Sequence, residues 1–302
     1  IYTIADVRYK FRIAVAPGAL YVSTFVLIVV ISLQTLLTKI WIIEGWWVPK
    51  TIVLTYPIWQ GIFGMLFIGT FLTWMYYAFI RPPIFGRRNA LRFAKELYRC
   101  ILRGSDDELK VIANELVRSA RSLIKYSRRL PSDLPDRHPS QQHTQKKKNK
   151  VGVEDYANDI LLLIANRKFC RQIVAASPVT AEALFEEMES ARKYDIPIGQ
   201  FARNISTEAV AQKGSFLYDE SEGYSSGLLG YLKPVSKAVY GNYELVEALA
   251  NHYGSPLDID YAQRGVWDAE QWEAYCRATL LTLEGFLAKG WGSGNSDALN
   301  FA

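Results

Sequence analysis

Two stretches of this chain carry no charged side chain: Ile13–Thr38, a run of 26 residues, and Thr51–Ile80, a run of 30. A helix needs about 20 apolar residues to cross the hydrocarbon core of a bilayer, so each run is long enough to span one with some tilt. Their centres, Leu20–Ile31 and Gly61–Leu72, are apolar on every side, whereas a helix at the surface of a water-soluble domain keeps a polar face. Buried helices of a large soluble core are the alternative, but a helix of that kind rarely runs past about 20 residues without a charge. A signal peptide does not fit the first run, which is too long and is followed by no small-residue cleavage site. The expectation is therefore a two-helix transmembrane hairpin over residues 17–80. Pro17 and Gly18 divide it from an interfacial lead-in over residues 1–16.

The flanking charges set an orientation. Arg8, Lys10 and Arg12 precede the first run, and Arg81, Arg87, Arg88, Arg92, Lys95 and Arg99 follow the second, while the connection carries Lys39, Lys50 and Glu44. Positive charge collects on the cytoplasmic side, which puts both termini there and the short connection outside. Aromatic residues fall where headgroups are expected, with Trp41, Trp46 and Trp47 at one end and Trp74, Tyr76 and Tyr77 at the other. Neither run contains an Asp, Glu, Lys, Arg or His, which argues against an ion-coupled transporter or a proton relay. Gly61, Gly64 and Gly69 are candidate helix-packing positions, since small residues let backbones approach. They serve either contacts within the hairpin or a subunit interface. Two helices enclose no pore alone, so any channel requires a homo-oligomer.

Net charge is +3 over residues 1–80, +11 over 81–150 and −9 over 151–302. In the basic segment, residues 81–130 read as juxtamembrane helices. The first, Arg87–Arg103, stops at Gly104, and Ser105-Asp-Asp-Glu108 is a capping-box signature that starts the second. Leu109, Ile112, Leu116, Ala120, Leu123 and Ser127 line one face of that second helix. The candidate headgroup contacts are Arg87, Arg88, Arg118, Arg121, Lys125 and Arg128. A partner helix is a second reading of this amphipathic surface, and nucleic-acid phosphates are a third. Residues 131–150 contain one leucine among prolines, glutamines and lysines, and read as a flexible linker. Its His138 and His143 lack acidic or cysteine companions for a metal.

Residues 151–302 read as an all-α cytoplasmic domain, with no strand–helix alternation to build a parallel α/β core. Helices are expected over Glu154–Ala176, from Ser177-Pro178 to Tyr194, and over Phe201–Gln212, Ser226–Tyr240, Tyr243–Tyr253 and Asp268–Lys289. Gly223-Tyr-Ser-Ser-Gly227 matches GxSxG, the strand-to-helix elbow of serine hydrolases. Downstream, however, only His252 is available as a base, and Asp258 and Asp260 follow it in the wrong chain order for that fold. Gly290-Trp-Gly-Ser-Gly follows a helix rather than a strand, so it is not a nucleotide fingerprint. Cys100, Cys170 and Cys276 form no CxxC pair. The expectation is a protein that is not an enzyme, with no cofactor, no metal and no evident small-molecule substrate. Tyr218, Asp219, Glu220, Glu222 and Tyr224 make an acidic-aromatic patch that is either a candidate partner contact or a solvated loop.

A two-span hairpin, a basic neck and a helical cytoplasmic domain without a catalytic motif resemble the two-span effector membrane proteins of retron-associated bacterial anti-phage systems. The resemblance covers the layout of the whole chain and the texture of residues 205–224. It implies an inner-membrane effector held silent by a reverse transcriptase–noncoding RNA complex, which breaches the membrane on release. The alternative is a membrane-tethered scaffold that recruits a cytoplasmic protein partner.

Overall fold

The computed structural model describes residues 7–16, 18–45, 56–130, 151–220, 224–226, 230–232, 234–251, 254–259, 264–288 and 296–300. The chain divides into two compact units, Ile1–Pro83 and Ile84–Ala302.

In the first unit, α1 (Val7–Val15) buries Phe11, Arg12 and Val15. It packs on a π-helical turn, Tyr76–Ile80, through Tyr9 and Phe79, whose ring centroids are 4.7 Å apart. α2 (Gly18–Ile43) and α3 (Tyr56–Met75) pack on each other. Among the described residues neither helix buries a side chain; Leu27, Ile31 and Phe63 are half-buried, and large apolar groups elsewhere stand outward: Phe25 is 64% exposed, Leu36 72% and Met65 79%. The few hydroxyls turn back on their own helices. Thr35 donates to the Ile31 carbonyl (2.7 Å), Thr70 to that of Leu66 (2.8 Å) and Thr73 to that of Gly69 (2.7 Å). Among the described residues, no helix is long and apolar enough to cross a membrane.

Among its described residues, the regular structure of the second unit is helical apart from one small hairpin. It begins with α4 (Ala90–Arg103), whose N-terminus is organised by Asn89: its side chain accepts from the Gly86 amide (2.9 Å) and donates to the Ile84 carbonyl (2.9 Å). The expected capping box forms, the Ser105 amide bonding Glu108 Oε2 (3.0 Å) and the Glu108 amide bonding Ser105 Oγ (3.3 Å). It opens α5 (Asp106–Leu116), which passes through a 3-10 turn, Val117–Ser119, into α6 (Ala120–Tyr126). Leu109, Ile112, Leu116, Ala120, Leu123 and Ser127 are all buried, as their spacing implies.

What covers that stripe is the set of helices that follows residue 151. α4 packs on α7 (Val153–Ile164), α5 on α8 (Arg167–Ala176), and α6 on α7 and α9 (Val179–Ala191). The basic helices are therefore part of the same core as residues 151–302. The segment 131–150 lies outside the described residues, and it joins ends held on one set of helices. The Arg128 amide donates to Asn158 Oδ1 (2.9 Å) and the Leu130 amide to the Asp195 carbonyl (2.6 Å). Lys193 closes the end of α6, donating to the carbonyls of Ile124 (2.8 Å), Lys125 (3.3 Å) and Ser127. These are among the orphan acceptors that every helix C-terminus leaves.

Three helix expectations change. Glu154–Ala176 breaks at Ala165–Asn166, where Asn166 Oδ1 accepts from the Phe169 amide (3.2 Å) and Asn204 donates to the Ala165 carbonyl (2.5 Å). Apolar periodicity runs across this break because both pieces bury the same side. α9 stops at Ala191 rather than Tyr194, with Arg192 left-handed at φ 46°. The span Ser226–Tyr240 does not begin as a helix: β1 (Tyr224–Ser226) pairs antiparallel with β2 (Gly230–Leu232). Helix resumes only at α12 (Pro234–Ser236), which runs into a π-helical turn, Lys237–Gly241. Gly227, Gly230 and Pro234 outweigh the apolar spacing here.

The remaining elements are α10 (Gly199–Ala211), α11 (Phe216–Asp219), α13 (Tyr243–Asn251), α14 (Ala269–Ala288) and a last turn at Asp297–Asn300. Asp268 caps α14 as expected, accepting from the Gln271 amide (2.9 Å). Two glycines permit backbone contact inside this unit. A Cβ on Gly254 would stand 2.3 Å from the Gly199 carbonyl carbon, and one on Gly285 would stand 2.5 Å from the Gly241 oxygen.

Candidate functional site

Side chains on α2 and α3 line a groove of about 540 Å³: Thr24 and Leu27 face Ile62, Met65, Leu66, Gly69, Thr70 and Thr73. Its walls are apolar with self-bonded threonines, so it offers shape and apolar contact but no charge. A Cβ on Gly61, Gly64 or Gly69 would meet nothing within 4 Å. None of the three is pressed against the α2 backbone, although Gly69 lines the groove between the helices. They leave shallow places on an open helix face, where another backbone can come close.

The basic candidates separate on inspection. Arg128 pairs with Glu154 (3.2 Å) and Asp155 (3.7 Å), so its charge is already matched within the unit. Arg87 and Lys125 lie over the Tyr126 ring, 5.8 and 5.9 Å from its centroid. Arg88, Arg118 and Arg121 are exposed and, among the described residues, form no ion pair. Because α5 and α6 spend their apolar stripe on α7–α9, that face offers solvent only charge, and the partner-helix reading of the stripe falls.

The acidic-aromatic patch is not assembled as a patch. The Tyr218 hydroxyl donates to the Val210 carbonyl (2.7 Å), and burial pushes its pKa above the usual phenol value. Both Glu220 oxygens accept amides at the start of α12, from Val235 (3.2 Å) and Ser236 (2.8 Å). That is a helix cap, favoured by the dipole. Asp219 is exposed. Glu222 and the side chain of Tyr224 lie outside the described residues. Ser225 sits on β1 opposite Tyr231 in a strand that turns into a hairpin, so the strand-to-helix elbow that GxSxG chemistry requires is not formed. His138, His143, His252 and Gly290–Gly294 lie outside the described residues. Among the described residues, no group of three or more His, Cys, Asp or Glu is placed to hold a metal.

Sequence reasoning missed a buried carboxylate. Glu208 on α10 is 1% exposed and accepts from Arg167 Nε (2.6 Å) and Arg171 Nε (2.9 Å), which reach in from α8. The signal was an Arg pair at i, i+4, Arg167 and Arg171, and the single acidic residue of α10. The cluster clamps α8 to α10. Cys170 lies between the two arginines in sequence, and burial, with Glu208 nearby, raises its thiol far above the normal range. Cys100 is half-buried, its thiol pushed up to about 11 by burial and by Glu96. No protein-family model, curated protein or solved structure matches this chain.

Proposed function

We propose that this protein is a membrane-embedded effector whose working part is the α2–α3 hairpin. The observation that carries the reading is the outward exposure of large apolar side chains over the surface of both helices that faces away from their mutual contact. A water-soluble monomer rarely exposes contiguous apolar surface beyond a few hundred Å², while lipid is the solvent that welcomes it. Backbones of 26 and 20 residues rise about 39 and 30 Å at 1.5 Å per residue, against a hydrocarbon core of about 30 Å. Threonine hydroxyls bonded to their own helices fit the same solvent, because lipid offers them no partner.

The hairpins associate side by side through the open faces at Gly61, Gly64 and Gly69, and the assembly opens the bacterial inner membrane. Both termini and the helical unit lie on the cytoplasmic side. In keeping with the layout it resembles, an inhibitory complex of reverse transcriptase and noncoding RNA keeps the effector silent until phage infection. Induction of the chain in bacteria, followed with a membrane-potential dye, tests the proposal. Depolarisation, relieved by Gly64→Asn or Gly69→Asn, is the expected result. Full membrane potential at high expression would instead favour the tethered scaffold, and a chain that stays monodisperse without detergent would overturn both.

A further inference from the structure

We infer that the outward face of α4 is an in-plane docking surface for anionic lipid headgroups. This inference rests on the membrane reading above and moves the headgroup contact away from α5–α6. Ala90, Phe93, Leu97 and Ile101 are buried and take up the inner face of α4. On the outer face Leu91 (46%), Tyr98 (54%) and Leu102 (58%) are exposed, with Lys95 among them. At 100° per residue these four fall within one sector of about 60°, and Arg92, Arg99 and Arg103 form the adjoining strip. The single acidic side chain of α4, Glu96, is taken by Arg99, which matches that charge within the helix and leaves Lys95 and Arg103 as exposed cations of this side. Arg88, just ahead of the helix, adds a further exposed cation.

Exposed apolar groups beside a row of arginines are the pattern of a helix that lies in the interface. The apolar strip enters the boundary region and the cations meet phosphates. The face on α5–α6 has the charge without the apolar strip, so it is suited to attraction and not to insertion. Eleven residues separate Ile80 from Leu91, a chain that reaches at most about 40 Å when extended. Phosphate alone would equally suit RNA, and Tyr98 could stack on a base, but a nucleic-acid surface gives no role to the exposed aliphatic side chains Leu91 and Leu102 on the same sector.

The test uses the full chain in proteoliposomes, carrying Cys276→Ser and a fluorescent, polarity-sensitive label on Leu102→Cys. In vesicles with a third phosphatidylglycerol, the label shifts to the blue and nitroxide-bearing lipids quench it by roughly twofold. In pure phosphatidylcholine, or with Arg92, Arg99 and Arg103 all replaced by glutamine, both effects fall away, and a label on Asn114→Cys shows neither. A label that stays in water in both lipids, in a chain that resists carbonate extraction, overturns this inference and leaves the hairpin reading standing. A chain removed by carbonate overturns the hairpin reading. Flotation of that chain with phosphatidylglycerol vesicles then supports the α4 surface, and failure to float sinks it. Spectral response to a short RNA but not to anionic vesicles overturns it as well.

Discussion

Phe25 and Phe185 show how differently the two units treat the same side chain: the first is 64% exposed on α2, the second fully buried between α9 and its neighbours. The glycines divide in the same way. Gly61, Gly64 and Gly69 face open space, whereas Gly254 and Gly285 are pressed against backbone. One unit hides its apolar mass from water, and the other displays it. Local packing rules are common to both, and the membrane reading proposed above accounts for the difference by the solvent each unit would meet.

The comparison breaks most visibly at the aromatics. Phe185→Ala removes a core ring and is expected to destabilise the helical unit by about 3–5 kcal/mol, while Phe25→Ala leaves that unit unchanged. Urea unfolding of the full chain in detergent, followed by hydrogen exchange of α5–α10, reads both. Equal effects would mean that Phe25 supports the core of the helical unit, and the contrast between the two would fail. The Glu208 cluster is expected to match this scale. Replacing Arg167 and Arg171 together by Met leaves a carboxylate of 1% exposure without its cations, and stranding a buried charge in this way costs about 3–5 kcal/mol.

Gly254→Ala sharpens the comparison at smaller magnitude, because its Cβ would meet the Gly199 backbone and overpacking costs about 1–3 kcal/mol. Gly64→Ala should have the opposite sign, raising the helicity of α3 by up to about 1 kcal/mol in detergent. In cells the same added methyl should reduce association if that face is an interface. Helix content by circular dichroism and cross-linking yield separate the two effects.

How far these features were legible depends on their range in the chain. The Ser105 and Asp268 caps act within three residues, and both form where the sequence places them. The stripe from Leu109 to Ser127 was equally legible as a buried face, since spacing alone defines a face. Its partner was not legible: α8 and α9 lie some 60 residues away, and the basic composition of residues 81–130 drew attention to the opposite side. Arg128, read as a headgroup contact, finds Glu154 across 26 residues. Tyr218 and Glu220 look like a recognition surface by composition, yet one bonds the Val210 carbonyl and the other caps α12. Side-chain chemistry names what a group can bond, and only the fold decides which partner arrives first.

Thiol reactivity extends the comparison to the surface of the helical unit. Cys276 is exposed, Cys100 half-buried and Cys170 buried. At pH 8 a disulfide reagent should titrate Cys276 promptly. Cys100 should react far more slowly, because at about 11 its thiol is about one part in a thousand thiolate. Its rate should rise roughly tenfold per pH unit toward that value, and Cys170 should react only on unfolding. Peptide mapping after timed labelling gives the order, and prompt loss of Cys170 would mean that α8 opens.

The smallest effect is expected at Glu182, where burial raises the carboxyl pKa and the neighbouring Glu186 and Glu220 raise it further. The native state therefore favours the protonated form. The stability due to this group is full below the unfolded value near 4.5 and is lost as pH rises through the higher folded value. Glu182→Gln keeps the shape and removes the charge, so it should stabilise the helical unit at pH 7 and change little at pH 4. Glu220 complicates a simpler experiment, because its carboxylate caps α12 and Glu220→Gln would remove a helix contact along with the repulsion. Unfolding midpoints of the Glu182→Gln chain at the two pH values isolate the electrostatic part. A gain of the same size at both would assign the effect to packing, and the acidic character of this face would then be neutral for folding.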